Sequence, residues 1–190
     1  MKKIFAVIIL ACFYSILSLC PLSAQTTKED KVAKKEMEKR IEQIKDSLSF
    51  IQAKIALESQ AFALESTYIT FKNGRPIYSE SNTNFISVKD GKGVVQIAFP
   101  RGGLGLNGLG GVTVDGLVSN VKYTTDKNGN ITIEYTVNGT GISARIVVLL
   151  FANSNKAQAL VDPNFTSDDL NVYGKLVPIQ NSKIFQGRTL

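Results

Sequence analysis

The sequence predicts a mainly β protein: an antiparallel meander of about eight strands, closed into a barrel or curled sheet, with one long N-terminal α-helix ahead of it. Three observations carry this. From Gln60 onward, apolar and polar residues alternate in short runs. Asn73-Gly74 reads as a two-residue hairpin turn between such runs, Asp90-Gly91 as a further hairpin, and Asn128-Gly129 as another turn of the chain. Before them, residues 28–59 contain neither glycine nor proline and repeat apolar residues at helical spacing. A β-sandwich is the alternative arrangement. Closure is preferred because it removes exposed sheet edges.

In the helix, Met37, Ile41, Ile44, Leu48, Ile51 and Ile55 fall at alternating steps of four and three, flanked by Lys, Arg and Glu. That is a narrow a/d stripe. It breaks at Lys34, which holds the next seam position, and so spans under three heptads. A coiled coil of that length is marginal. Packing on the protein's own body is therefore the expectation, and a helix-mediated dimer the alternative.

In the β region, Phe62, Leu64 and Tyr68 line one parity of the first strand. Pro76 places the return strand at an edge, because proline cannot donate to the ladder. Phe85–Val88 and Val94–Phe99 form the next hairpin, about Asp90-Gly91. Val112 and Val114 share a face, but Val121 and Tyr123 hold the other parity, so a β-bulge is expected at Gly116. Ile131, Ile133, Tyr135 and Val137 alternate cleanly, and Asn138–Gly141 turns the chain again. Ile142–Phe151 becomes apolar on both parities and calls for an outer cover, for which the helix is the expected element. Strands near Ala157–Val161 and Leu170–Ile179 complete the meander. The inward candidates Phe62, Tyr68, Phe99, Ile131, Ile133, Tyr135 and Ile146 are bulky, which predicts a filled interior over a ligand cavity.

The N-terminus has the layout of a secretory signal peptide: Lys2 and Lys3, an apolar run from Ile4 to Leu19, and Leu22-Ser23-Ala24 before Gln25. The run falls short of the ~18 apolar residues of a membrane span, so none is expected after cleavage. The chain then divides into signal peptide 1–24, amphipathic helix 25–59 and β domain 60–190. The expected location is periplasmic or extracellular. A lipoprotein anchored at Cys20 is the alternative, which bulky Leu19 and the following Pro21 fit poorly.

Composition excludes several chemistries. Both cysteines, Cys12 and Cys20, lie in the leader, and the chain has no histidine and no tryptophan. Disulfides, thiolate nucleophiles, Cys/His zinc centres and Ser-His-Asp triads are thereby excluded from the processed chain. No catalytic residue, metal site or cofactor is assigned, and no enzyme is expected. A hydrolase using two carboxylates is the catalytic class left open. The formal charge of +6 is spread out, and the leader's Lys2 and Lys3 supply two of it. Without basic runs interleaved with aromatics, no nucleic-acid partner is expected.

Several motifs are decoys. In PRGGLGLNGLGG (residues 100–111), Gly103 to Gly108 fits G-x-G-x-x-G. A dinucleotide site needs a helix N-terminus after that loop, whereas Val112-Thr113-Val114 reads as strand. Asp126-Lys127-Asn128-Gly129-Asn130 imitates a calcium loop, but Ile131 and Val137 stand where glycine and glutamate are required, so it reads as a hairpin turn. Asp168-Asp169 reads as a solvated turn, and Asp46-Ser47-Leu48 is too short a glycosylation pattern to carry weight. The binding candidates are Arg101 and Asn107 in the glycine loop and Asp115 just beyond it, polar groups at one end of a sheet.

LESTYITFKNGRPIY, SNTNFISV, NGLGGVTVDG and LVPIQNSKIFQGRTL occur in that order between Leu57 and Leu190. Together they resemble DUF4251, a secreted Bacteroidetes family of unknown function. The resemblance implies a lipocalin-type barrel or curled sheet, brings no catalytic residue, ligand or cofactor, and leaves the helix as an extension ahead of the shared domain. The expected function is that of an exported, non-enzymatic binding or structural module of the cell envelope, its partner another envelope protein or a surface polymer. The alternative is a carrier holding a small apolar ligand inside the barrel.

Overall fold

The computed structural model describes residues 28–71, 74, 76–98, 111–164 and 169–186. The chain divides into two compact units, Met1–Ile41 and Glu42–Leu190. In the first, the described residues are helical throughout, as part of a helix α1 that runs unbroken over Lys28–Glu58. Among the described residues, no helix is long and apolar enough to cross a membrane.

The second unit is an antiparallel meander. Its strands are β1 (Phe62–Phe71), β2 (Pro76–Tyr78), β3 (Phe85–Lys89), β4 (Lys92–Ile97), β5 (Val112–Thr125), β6 (Ile131–Asn138), β7 (Ser143–Leu150), β8 (Lys156–Pro163) and β9 (Leu170–Pro178). Pairing of β1 with β9, from Phe62↔Pro178 to Phe71↔Leu170, closes eight of them into a barrel. The ninth, β2, is an extra strand along the outer half of β1, the edge position that Pro76 demands. Closure decides against the sandwich.

Local chemistry accounts for the turns. Asp90 and Gly91 both adopt left-handed backbone, φ 51° and 73°, as the tightest hairpin turn requires. At the β5–β6 turn, Asp126 Oδ1 accepts the backbone N–H groups of Asn128 at 2.8 Å and Asn130 at 2.9 Å. Asn130 Nδ2 donates to Oδ2 at 2.8 Å, and this bond above all holds the Asp126 carboxyl below its ordinary pKa. The calcium-like segment is a self-capped turn.

Three expectations are corrected here. The parity change in β5 is not at Gly116, which pairs regularly with Gly93. The register slips between Ser119 and Lys122, where Asn120 has φ 55°. Gly116 is glycine for another reason: a Cβ there would lie 2.0 Å from the Asn138 carbonyl oxygen. Second, Tyr68 is not an inward residue. The β1–β9 register shifts between Ser66 and Tyr68, so Ile69 enters the core while Tyr68 stacks on Tyr173 at 4.5 Å. Phe99 lies outside the described residues.

Third, the part of the helical stripe within Glu42–Glu58 does not pack on the barrel: Ile44, Leu48, Ile51 and Ile55 are all exposed. Buried instead are Ala53, Ala56 and Leu57, which join the same cluster as the inward residues Phe62, Ile131, Val148 and Leu150. The last turns of α1 therefore close one barrel mouth rather than cover β7, whose outward Val147 and Leu149 are only half-buried. The small alanines let the helix backbone approach the strand ends, and Leu57 supplies the plug.

The interior is filled. Tyr135, Phe62, Leu64, Ile69, Ile86, Ile131, Ile146, Leu150 and Leu176 are all fully enclosed, with Phe62 and Tyr135 packed edge-to-face at 6.3 Å. Among the described residues the Tyr135 hydroxyl has no hydrogen-bond partner, and burial pushes its pKa up. An unpaired buried hydroxyl costs stability, so Tyr135→Phe is expected to stabilise the fold by about 1 kcal/mol. Chemical denaturation measures this. A comparable loss would show that the hydroxyl is bonded in solution.

Candidate functional site

Strand alternation points Val95 and Ile97 into the barrel, and Gln96 out of it. Gln96 is nevertheless fully buried, as are its outward neighbours Phe85, Ala63 and Thr113, and Ser87 is nearly so. The register joins them into rows across the outside of the barrel: Glu65↔Phe85, Phe85↔Gln96 and Gln96↔Thr113, with Ala63↔Ser87 alongside. Their cover is the C-terminal tail.

After β9 a single 3-10 turn, Ile179–Asn181, redirects the chain. The tail then crosses the outer face of β1, β3, β4 and β5 as a strap. Ser182 Oγ donates to Glu65 Oε1 at 2.6 Å, and the Lys183 backbone N–H reaches the same oxygen at 3.3 Å. Gln96 Nε2 donates to the Phe185 carbonyl at 2.8 Å, and the Phe185 N–H donates to the Asn82 carbonyl at 2.7 Å. Gln186 Nε2 donates to Asp115 Oδ2 at 2.8 Å.

Facing the strap is a loop thrown out of a strand. The Ser79 N–H bonds the Thr67 carbonyl, and the Ser66 N–H bonds the Asn84 carbonyl. Adjacent positions on β1 thus pair with residues five apart, and Glu80–Thr83 are looped out between β2 and β3. One helical turn closes this excursion, with the N–H groups of Thr83 and Asn84 both donating to the Glu80 carbonyl. Buried amides fix it: Asn84 Nδ2 donates to the Glu80 carbonyl at 3.1 Å while its Oδ1 accepts the Ala98 N–H at 2.8 Å. Gln96 Nε2 also donates to the Thr83 carbonyl at 2.9 Å, and Gln96 Oε1 accepts from Thr113 Oγ1 at 3.1 Å. One buried glutamine thus ties excursion, strap and β5 together.

Between excursion and strap lies a solvent-open cleft of about 480 Å³, lined by Glu65, Glu80, Ser81, Asn82, Asn181 and Lys183. It offers carboxylates, amides, a hydroxyl and an ammonium, a set able to donate to and accept from a polyhydroxylated ligand. Two carboxylates share the cleft, but Glu65 holds the strap and Glu80 is exposed. Beside it, Tyr78, Tyr68 and Tyr173 form a row across β2, β1 and β9. Tyr68 and Tyr173 are stacked, and Tyr78, 78% exposed, tilts against Tyr68 at 6.2 Å.

Of the sequence-derived candidates, Arg101 and Asn107 lie outside the described residues. Asp115 lies on β5, where Gln186 of the strap engages its carboxylate. The flanks of the glycine loop, Ala98 and Gly111, end β4 and precede β5 at the mouth opposite the helix, as the antiparallel order requires. The cleft residues were not singled out by sequence. The nearest signal was the run Glu80-Ser81-Asn82-Thr83-Asn84, turn-forming residues between two strands.

Fold and site together define a class: a filled antiparallel barrel, plugged by a helix at one mouth and strapped on its outer face. The chain belongs to the family described as a domain of unknown function, DUF4251, whose model matches residues 26–176. The match takes in the helix, which is therefore no extension ahead of the shared domain, and it ends before the strap. Among solved structures, the chain is similar to a DUF4251 family protein from Bacteroides eggerthii. The two are 44% identical with a TM-score of 0.67, over 78% of this chain and 99% of that one. No curated protein matches.

Proposed function

We propose that the protein is an exported, non-enzymatic module of the cell envelope that binds a saccharide segment of a surface polymer in the cleft between excursion and strap. The observation that carries this reading is the excursion itself. Closing the barrel does not require four residues to leave the strand, nor two buried amides to hold them out, whereas presenting a polar wall to a ligand does. The lining favours a hydroxyl-rich ligand, and the adjoining tyrosine row adds amphipathic ring faces. Export is supported by the leader pattern of residues 1–24. An apolar carrier is less well supported, because bulky side chains fill the interior.

Titration of ¹⁵N-labelled protein with N-acetylglucosamine tetramer, mannan and dextran oligomers tests the reading. Shifts are expected to be confined to Glu65, Ser81, Asn82, Asn181, Lys183 and the tyrosine row. The Asn82→Ala/Asn181→Ala double variant should weaken binding by about tenfold. Absence of a site-confined response to every oligomer would overturn the saccharide assignment.

A further inference from the structure

The strap is seated without a core residue of its own. Leu176 is the last residue of β9 enclosed in the barrel, and no side chain of Val177–Gln186 is buried. Ile184 is half-buried, and the Phe185 ring is 62% exposed. The 3-10 turn Ile179–Asn181 ahead of the strap buries nothing and carries no side-chain cap. Its near end is fixed, because the Ile179 N–H donates to the Ala61 carbonyl at 3.0 Å. Beyond that point the tail is tied down by hydrogen bonds alone: Ser182 and Lys183 to the Glu65 carboxylate, Phe185 to the Asn82 carbonyl and the Gln96 amide, and Gln186 to Asp115.

Against water, one such bond shifts an equilibrium by a factor of about two to ten, and ordering one residue opposes it by a factor at least as large. The strap therefore lies near balance, whereas β9 is held by a full ladder on both sides and by buried side chains. We infer that the strap is a clasp: it opens as a unit about the 3-10 turn while the barrel stays folded, and it carries one wall of the cleft away with it. Low-stability openings of this kind are typical of segments with few buried contacts.

Four of the six cleft residues depend on the strap being down. Asn181 and Lys183 belong to the tail itself, Asn82 accepts the Phe185 N–H, and Glu65 accepts both Ser182 and Lys183 on one oxygen. Glu65 is the latch, since bonds to an ionised carboxylate are the stronger ones, and it also lines the cleft. A ligand gripped between excursion and strap binds the seated state alone. Binding then holds the strap down, and an open strap lets the ligand go, by the same factor in each direction. This coupling rests on the saccharide reading of the cleft; the opening of the strap does not.

Amide hydrogen exchange of the ¹⁵N-labelled protein tests both parts. In the free protein, the Lys183 and Phe185 amides are expected to exchange together, at least about tenfold faster than the Leu176 amide of β9 after correction for intrinsic rates. Ser182→Ala should raise both about threefold to tenfold and leave the melting temperature unchanged. N-acetylglucosamine tetramer, mannan or dextran oligomer, whichever shifts the cleft resonances, should slow both by about a hundredfold at a hundred times its Kd. Phe185 is the decisive amide, because it does not line the cleft and is not shielded by the ligand directly. Strap amides no faster than Leu176 would overturn the clasp whatever the cleft binds. An oligomer that binds in the cleft yet leaves Phe185 exchange unchanged would overturn the coupling and leave the saccharide reading intact. If no oligomer binds, the saccharide reading fails, and the clasp stands or falls on whether Ser182→Ala raises Lys183 and Phe185 exchange together.

Discussion

Gln96→Leu is expected to lower the unfolding free energy by about 3 kcal/mol and to free the C-terminal strap. Gln96 is fully buried on the outer face and is shared by three segments through Thr83, Phe185 and Thr113. Leucine is of similar size, so little cavity forms. The cost comes from the polar groups left behind: two carbonyls lose a donor and a hydroxyl loses its acceptor, each worth about 1–3 kcal/mol when it stays buried. Part of that is recovered if the strap lifts and water enters. Chemical denaturation should therefore show a lower midpoint, and hydrogen exchange at the Phe185 amide should rise with it. An unchanged midpoint with unchanged exchange would mean that the strap is held by something other than this glutamine.

Gly174→Ala is expected to cost about 3 kcal/mol or more. Gly174 faces Ser66 on the β1–β9 seam that closes the barrel, at the edge of the register shift. A Cβ there would stand 1.9 Å from the Glu65 carbonyl oxygen and 3.0 Å from the Ser66 Cα. Both are backbone atoms, so the methyl group can be accommodated only by parting the strands or shifting the register. Gly141→Ala is the comparison. Gly141 has φ 76° but nothing within 4 Å of an added Cβ, so that variant should pay only the left-handed backbone penalty of about 1–2 kcal/mol. Equal losses in the two variants would contradict the close approach at the closure seam.

What could be read from the sequence was what local periodicity encodes. Ile131, Ile133, Tyr135 and Val137 alternate without interruption, and all four point into the barrel. Asp90-Gly91 and Gly129 turn the chain because they accept left-handed backbone. Tyr68 was misplaced because one extra residue in β1 reverses parity, and Thr67 carries no composition that announces it. The helix stripe was visible as a stripe, but its direction was not. Direction depends on a second, smaller apolar face, Ala53, Ala56 and Leu57, fitting a barrel mouth built from distant strands.

The candidate site was the least legible part, because each of its determinants is non-local. Gln96 in Val-Val-Gln-Ile looks like an ordinary outward polar residue of a half-exposed strand. Only a tail nearly ninety residues later makes it a buried junction. Glu65 likewise acquires its role from Ser182. The excursion was legible as turn-prone residues, but not as a loop held open by Asn84 and Gln96.

The central claim is that the barrel interior is structural and that binding is external. Native mass spectrometry of the protein purified from its own host tests this most directly. The account predicts a mass that the protein chain alone accounts for, with no apolar adduct retained. A stoichiometric, lipid-sized adduct that survives purification and is lost only on unfolding would contradict it.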